Sequence, residues 1–475
     1  MLRQTKIVAT LGPSSSHPKI LRSMMITGVD VIRINFSHAD TSALELIALV
    51  RQISTELNHP LAVMADLQGP KIRIACFEAS PINLVKDATF ILDVNYDKKK
   101  GNSEIVGVDY EALNEDVKQD DFLLLDDGRI VLQVTKIEGG KIYTRVINGG
   151  NLSNNKGINR LGGGLSAKAL TEKDREDLKI ALDLGADYIA ISFPRTVADI
   201  EEAKELIKSH GGVAGIIAKI ERAEAIEVLD EIIQVSDAIM VARGDLGVEI
   251  GDAELPQIQK HIIQRCRALN KPVITATQMM ESMIENAIPT RAEVFDVANA
   301  VIDGTDAVML SAETASGVDP ANVVTAMDRI CKGAERNRIT YVSGHRMECR
   351  FKDVEEAIAM SAMYAANHFS VAGIIALTES GNTPLLMSRI RSGIPIFAFT
   401  RHLSTQRRMA LYRGVYPINC AAEFGQVIED DNFAVQLLRT QGHVQAKDYV
   451  LITHGDLAGK AGQTNTLHIL EVLCG

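Results

Sequence analysis

Eight short apolar runs, each followed by an amphipathic stretch of helix length, set the strongest constraint on this 475-residue chain. They start at Lys6 (KIVATLG), Val31 (VIRINFS), Leu61 (LAVMADLQG), Ala186 (ADYIAISF), Gly215 (GIIAKIE), Ala238 (AIMVARGD), Pro272 (PVITATQ) and Ala307 (AVMLSAE). Apolar runs alternating with helices mark parallel βα units, because a parallel strand is covered by helices and reads as nearly continuous hydrophobic sequence. Eight such units predict an α/β fold built on a closed (β/α)8 TIM barrel.

The third and fourth runs are separated by a stretch of another character. LLLDDGRIVLQV and GGKIYTRVI are β-rich segments with turn pairs at Asp127-Gly128 and Gly139-Gly140, which predicts an inserted, β-barrel-like lid domain. Gly162, Gly163 and Gly164 form a hinge at its exit, and Thr171 followed by Glu172, Lys173 and Asp174 reads as a capped helix start. Beyond about residue 343 the alternation returns in EEAIAMSAMYAANHF, VAGIIALTESG, IPIFAFTR, VYPINCA and DYVLITHGD, enough for a C-terminal α/β open-sheet domain. The expected division is therefore 1–69 with 168–343 for the barrel, 70–167 for the insert and 344–475 for the C-terminal domain. GDLAGKAG, from Gly455, fails as a phosphate loop: three residues rather than four precede Gly459-Lys460, and Ala461 stands where Ser or Thr is required.

Composition removes several classes of function. Fifty Lys and Arg against 61 Asp and Glu leave a net charge of −11, with no basic block of the kind that phosphate backbones demand, so no nucleic-acid partner is expected. The six cysteines form no Cys-x-x-Cys pair, which suits a reducing compartment. No secretory leader or membrane-length apolar run is evident, and a cytoplasmic location is expected.

Barrel chemistry belongs at the C-terminal strand ends, where the βα loops build a mouth. The predicted ends carry Arg33, Asn35, Ser37, Asp66, Gln68, Ser192, Lys219, Glu221, Arg243, Asp245, Thr277 and Glu313, a ring of polar groups in otherwise apolar runs. Lys219 and Glu221 are two residues apart and so face the same side of one strand. Glu221 and Asp245, on neighbouring strands, are the oxygen donors that Mg²⁺ prefers. Lys219 and Arg33 are placed to neutralise a phosphoryl group in transfer, a reaction that needs positioning and charge compensation more than covalent help. Other features take plain readings. Met279, Met280 and Met283 are core filling, and Asp126-Asp127-Gly128 is first a hairpin turn.

At KIVATLGPSS (from Lys6), RINFSHA (from Arg33), DLQGPKIR (from Asp66), AKIER (from Ala218), VARGDLGVEI (from Val241), ATQMMESM (from Ala276), PTRAEVFDVANAV (from Pro289) and MLSAET (from Met309) the chain resembles the pyruvate kinase family, nearly end to end. That resemblance implies a three-domain enzyme of glycolysis that moves the phosphoryl group of phosphoenolpyruvate to ADP, giving pyruvate and ATP, as a homotetramer. It implies Mg²⁺ (or Mn²⁺) held by Glu221 and Asp245, Lys219 stabilising the transferring group, and Arg33 on the phosphate. Gly244, Asp245 and Thr277 would take the substrate carboxylate, with Thr277 also in the proton relay. Arg73, His38, Lys156 and Asn35 would face the nucleotide. Asn35, Ser37, Asp66 and the Leu67 carbonyl match the family's monovalent-cation positions. Lys71 stands where potassium-dependent members carry glutamate, so its ammonium is expected to replace K⁺.

The loop Thr378, Glu379, Ser380, Gly381, Asn382, Thr383 resembles the family's effector phosphate loop, with Asn382 in place of a usual arginine. The chain also has no Trp, which favours a monophosphate effector, such as a sugar monophosphate or AMP, over fructose 1,6-bisphosphate. Two rival readings are an enolate-stabilising, Mg²⁺-dependent barrel lyase or mutase, which needs neither ADP nor a lid, and a regulatory protein that keeps the fold without turnover. Intact Lys219, Glu221, Asp245 and Thr277 weigh against the second.

Overall fold

The computed structural model describes residues 2–37, 42–341, 350–420, 423–455 and 462–473. All eight apolar runs are strands: β1 (Lys6–Thr10), β2 (Val31–Asn35), β3 (Ala62–Asp66), β4 (Tyr188–Ile191), β5 (Gly215–Ile220), β6 (Ala238–Ala242), β7 (Val273–Ala276) and β8 (Ala307–Leu310). They pair in sequence order, all parallel, and close where Lys6 of β1 lies opposite Ala307 of β8. Successive residues of a strand face opposite sides. Ile7 and Ala9 therefore pack outward under the helices while Val8 points in, where it meets Val31, Met64, Tyr188, Ile217, Met240, Ile274 and Met309. The barrel interior is a packed core rather than a pore.

The insert leaves after β3 and returns before β4, yet those two strands pair directly, Met64 opposite Tyr188 and Asp66 opposite Ala190. The excursion forms a curled six-stranded sheet in the order Ile158–Arg160, Phe122–Leu125, Ile130–Glu138, Lys141–Asn148, Thr89–Asp93 and Ile105–Gly107, with its own core of Phe90, Leu92, Leu132, Val134, Ile142 and Val146. Both expected turns form. Glu138 pairs with Lys141 across Gly139 and Gly140, whose φ values of 58° and 88° suit a tight hairpin, and Asp126, Asp127 and Gly128 turn between the strands that pair Leu125 with Ile130. The helix Glu172–Asp183 starts with the expected cap: the Thr171 hydroxyl accepts from the Asp174 amide while the Asp174 carboxylate accepts from the Thr171 amide. The other Asp174 oxygen accepts from the Gly69 amide at 3.0 Å, tying the segment that enters the insert to the segment that leaves it.

The C-terminal sheet comprises β9 (Gly373–Leu377), β10 (Ile396–Thr400), β11 (Val415–Asn419), β12 (Tyr449–His454) and β13 (Thr466–Glu471), in the order β11-β10-β9-β12-β13 with only β13 antiparallel. It docks on the N-terminal end of the barrel, away from the mouth. Leu411 joins the barrel's inner core, and the Tyr188 hydroxyl donates to the Arg408 carbonyl at 2.9 Å. Among the described residues no helix is long and apolar enough to cross a membrane.

One buried ion pair fastens this junction. Asp306, just before β8, takes the Arg389 guanidinium through both oxygens and also accepts from the Val273 amide at 3.0 Å and the Arg413 amide at 3.2 Å. Arg389 and Asp306 are each 1% exposed. Removing one partner strands the other charge in the interior. Asp306→Ala is expected to cost about 3–5 kcal/mol of unfolding free energy in urea denaturation, with the loss reversed in part by pairing it with Arg389→Met.

Candidate active site

The C-terminal ends of β2, β3 and β5 converge on a charge cluster. Lys219, the last inward-facing residue of β5, has its Nζ 3.0 Å from Glu221 Oε1 and 3.2 Å from Asp66 Oδ1, and donates to Ser192 Oγ at 2.8 Å. Arg33 Nε donates to Asp66 Oδ2 at 2.6 Å and its Nη1 to Thr10 Oγ1 at 3.1 Å. Burial alone would discharge the Lys219 ammonium, but Asp66 and Glu221 outweigh it and hold the group charged, above its ordinary range. Burial likewise opposes ionisation of Asp66, and the two cations beside it overcome that opposition and pull its carboxyl below the ordinary value.

Glu221 is 2% exposed, and its Oε2 accepts the Phe193 amide at 2.8 Å. Burial pushes its carboxyl up despite Lys219, and the negative charge of Asp245 pushes it further. Asp245, in the first turn of the helix Arg243–Ile250, is met by Lys71 Nζ at 3.3 Å. Two carboxylates that repel each other in a desolvated setting, with oxygen donors only, fit a hard divalent cation.

Thr277, directly after β7, has φ +66°, a left-handed backbone that a β-branched residue rarely adopts, and Gln278 follows at +54°. The turn is held from below by Arg243, whose guanidinium donates to the Ala276 carbonyl at 3.1 Å and the Thr277 carbonyl at 2.5 Å and pairs with Asp296 at 2.7 Å. Thr277 Oγ1 accepts the Gly244 amide at 2.9 Å. Arg243 and Glu313, both in the ring of strand-end residues, thus serve the scaffold. Glu313 accepts the amides of Met280 at 3.2 Å and Ser311 at 2.7 Å and sits buried beneath the mouth.

The remaining sequence candidates divide. Asn35 Oδ1 accepts the Ser37 amide at 3.1 Å, and Asn35 pairs in register with Asp66, so three of the four monovalent-cation positions are neighbours. The fourth, the Leu67 carbonyl, accepts from Ser192 Oγ at 2.7 Å. The ion pair of Lys71 is with Asp245, whereas the cations on Asp66 are Arg33 and Lys219. On the insert, Lys156 pairs with Asp126 at 2.6 Å and Arg73 donates to the Asn155 carbonyl at 3.0 Å. His38 lies outside the described residues, as do 456–461 of GDLAGKAG. In the C-terminal loop, Gly381 (φ +85°) donates to Thr378 Oγ1 and Asn382 to Ser380 Oγ, while the buried Glu355 carboxylate takes the Asn382 amide nitrogen at 2.8 Å and the Thr383 hydroxyl at 2.6 Å. Glu355 and Asp174 had no strand-end signal, since their partners arrive from distant segments.

Between insert and barrel lies a narrow cleft lined by Lys71, Asn159, Phe193, Arg222, Asp245 and Glu249. The exit segment Gly162–Gly164 lies against the same wall. The Gly162 amide donates to the Glu249 carbonyl at 2.8 Å and the Gly164 amide to Glu224 at 2.5 Å. Burial pushes the Glu249 carboxyl up to about 7, with Glu224 adding to the rise.

A TIM barrel whose strand ends gather a buried ammonium, a guanidinium and carboxylates has the make-up of a barrel enzyme, with its polar groups at the C-terminal mouth. Residues 2–324 match the family description "Pyruvate kinase, barrel domain", and residues 356–470 match "Pyruvate kinase, alpha/beta domain". The chain is 54% identical over 477 residues to the pyruvate kinase of Buchnera aphidicola subsp. Baizongia pistaciae, covering 99% of each. It is 53% identical to pyruvate kinase II of Salmonella typhimurium and 52% identical to the pyruvate kinase of Haemophilus influenzae, again over 99% of each chain. The chain belongs to the pyruvate kinase family and is a phosphotransferase.

Two expectations follow from this geometry. Thr277→Gly relieves the left-handed strain but loosens the unfolded chain and removes the acceptor of the Gly244 amide, so urea unfolding should change by less than about 1 kcal/mol while turnover falls with the lost hydroxyl. For Glu249 the proton favours the folded form: its stabilising contribution is full below the unfolded value of 4.5, and is lost as pH rises through about 7. Cleavage at Gly162–Gly164 in limited proteolysis should accelerate between pH 5 and pH 8, and Glu249→Gln should flatten that dependence.

Proposed function

We propose that the barrel mouth transfers the phosphoryl group of phosphoenolpyruvate to ADP and then protonates the resulting pyruvate enolate. The observation that carries this reading is the Lys219 ammonium, held charged between Asp66 and Glu221 and aligned with Arg33 along the mouth. A phosphoryl group in transfer spreads negative charge over three oxygens, and fixed cations in a dry site stabilise it without reorganising. Arg33 binds the phosphate and Lys219 follows it towards the nucleotide. The substrate carboxylate lies against the backbone amides at the start of the helix Arg243–Ile250, at Gly244 and Asp245, with the Thr277 hydroxyl beside it. Glu221 and Asp245 hold the Mg²⁺ (or Mn²⁺), which supplies charge neutralisation on the phosphoryl oxygens when bound. Thr277, fixed by Arg243, passes the proton to the enolate carbon. Arg73 and Lys156 on the insert, with His38 and Asn35 on the barrel, take the ADP phosphates, and closure of the insert (70–167) over the barrel (1–69, 168–343) excludes water that would compete with ADP.

The ion pair of Lys71 with Asp245 brings its positive charge into the same mouth, and supports turnover without K⁺ at Asn35, Ser37, Asp66 and Leu67. In the C-terminal domain (344–475) Thr378, Ser380, Gly381, Asn382 and Thr383 cradle a phosphorylated activator. Glu355 already takes hydrogen bonds from the Asn382 and Thr383 side chains, so fewer loop donors are free for phosphate, in keeping with a sugar monophosphate or AMP. A cytoplasmic homotetramer completes the reading.

The test is pyruvate formation from phosphoenolpyruvate and ADP with Mg²⁺, with and without K⁺. The chain should turn over in both buffers, and Lys219→Met should lose a factor of about 10²–10³ or more. Lys71→Glu should become K⁺-dependent, and a sugar monophosphate or AMP should lower the substrate concentration needed where fructose 1,6-bisphosphate does not. A strong K⁺ requirement of the unaltered chain would discard the role of Lys71, and no turnover under any of these conditions would discard the transfer itself.

A further inference from the structure

The edge of the C-terminal sheet gathers three metal-ligating side chains far from the barrel mouth. β12 and β13 run antiparallel with His454 opposite Thr466 and Ile452 opposite His468. His454 and His468 are therefore diagonal neighbours on one face of the hairpin. Asp431, the first residue of the helix Asp431–Thr440, reaches the same spot. Its Oδ2 is 2.6 Å from His468 Nδ1 and its Oδ1 is 3.7 Å from His454 Nε2. The three ligand atoms all lie within 4.8 Å of one another, the one such His/Cys/Asp/Glu group among the described residues.

We infer that Asp431, His454 and His468 form a binding site for a zinc-type divalent transition metal. Three features carry this. Zn²⁺ bonds to nitrogen and carboxylate oxygen at about 2.0–2.2 Å, which sets tetrahedral ligand atoms roughly 3.3–3.5 Å apart. The His454–Asp431 separation is already close to that, and His468 needs to withdraw from Asp431 by less than about 1 Å. Second, His454 Nε2 is buried and has no hydrogen-bond partner among the described residues, with the Asp431 carboxylate oxygen 3.7 Å from it. Third, burial is graded as an open site requires: the side chains of Asp431 and His454 are 18% and 20% exposed, while that of His468 is 49% exposed and leaves a face for water. Two imidazoles and one carboxylate select a transition metal over Mg²⁺, which takes oxygen donors. The site is thus chemically distinct from Glu221 and Asp245.

Such an ion would staple the start of the helix Asp431–Thr440 to both strands of the hairpin. The segment joining those strands includes Thr464, whose hydroxyl lies 2.8 Å from that of Thr383 in the proposed effector cradle. The site stands on the geometry of its three ligands and holds whether or not that cradle binds a phosphate.

The experiment uses the full chain in saturating Mg²⁺, so that the carboxylate pair in the barrel is occupied. Zn²⁺ binding is measured by equilibrium dialysis, and Co²⁺ is titrated as a visible-absorption probe of nitrogen ligation. One Zn²⁺ per chain is expected, with the intense Co²⁺ bands of a four- or five-coordinate site. His454→Ala, His468→Ala and Asp431→Asn should each weaken binding at least tenfold. Zn²⁺ should raise the melting temperature of the unaltered chain but not of His468→Ala, whose half-exposed position leaves folding and Mg²⁺-supported turnover intact. Undiminished Zn²⁺ affinity in both histidine variants would overturn the assignment, as would the absence of Zn²⁺ binding at micromolar concentrations, which would leave a His–Asp–His hydrogen-bonding cluster.

Discussion

Closure of one parallel ladder governs the rest of this molecule. Every barrel strand must find both neighbours, so β3 must meet β4 although the whole insert lies between them in sequence. Their pairing brings the two ends of the insert together at one point of the rim, where Asp174 joins Gly69 to the start of the next helix. Gly69 has φ +67°, and a Cβ there would lie 2.7 Å from the Ser192 Cβ, so the chain leaves the barrel through a gap that only glycine fits. The insert therefore hangs from a fixed pivot, with its cleft facing the ends of β5 and β6, where Glu221 and Asp245 lie.

The same closure concentrates charge. Strand ends around a barrel of this size converge, and their inward side chains share a small volume from which packed aliphatic layers exclude water. Isolated, each charge would pay a large desolvation cost. Asp66 resolves it for the cluster, taking Arg33 on one oxygen and Lys219 on the other, while Glu221 takes the far side of Lys219. The cations Arg33, Lys219 and Lys71 balance the carboxylates Asp66, Glu221 and Asp245 in number, so an anion that enters the mouth competes with Asp66 for Arg33 and Lys219, and a cation competes with Lys219 and Lys71 for Glu221 and Asp245. The two competitions sit next to each other because β5 and β6 are adjacent strands.

Much of this was legible in the sequence. Parallel strands buried on both faces advertise themselves as short apolar runs, and all eight formed as read, as did the Thr171 cap, the Gly139-Gly140 turn and the buried methionines Met279, Met280 and Met283. Lys219, Glu221, Asp66 and Arg33 were legible because strand periodicity fixes which side a short reach explores. The direction of a long side chain is not fixed that way. Arg243 and Glu313 share the strand-end signature yet turn back under the mouth to hold backbone, and Lys71 was placed by analogy near the pocket of Asn35, Ser37 and Asp66 but pairs with Asp245. Glu355 reaches partners 27 and 28 residues away and Asp174 one on the far side of the insert, and nothing local marks such partners.

The strain at Thr277 shows why the scaffolding residues matter as much as the charged ones. A threonine held at φ +66° persists only where its surroundings over-determine it. Here Arg243 supplies the constraint: it is 7% exposed, it binds the carbonyls on both sides of the turn, and Asp296 neutralises it from behind. Because Arg243 also begins the helix that carries Gly244 and Asp245, one guanidinium sets the position of the Thr277 hydroxyl relative to that helix start, and the Gly244 amide at 2.9 Å closes the loop. A relaxed turn would leave the hydroxyl free to rotate away, so the fold spends backbone strain to fix one oxygen between β6 and β7. That expenditure is reasonable only at a position where the hydroxyl's location matters to what binds in the mouth.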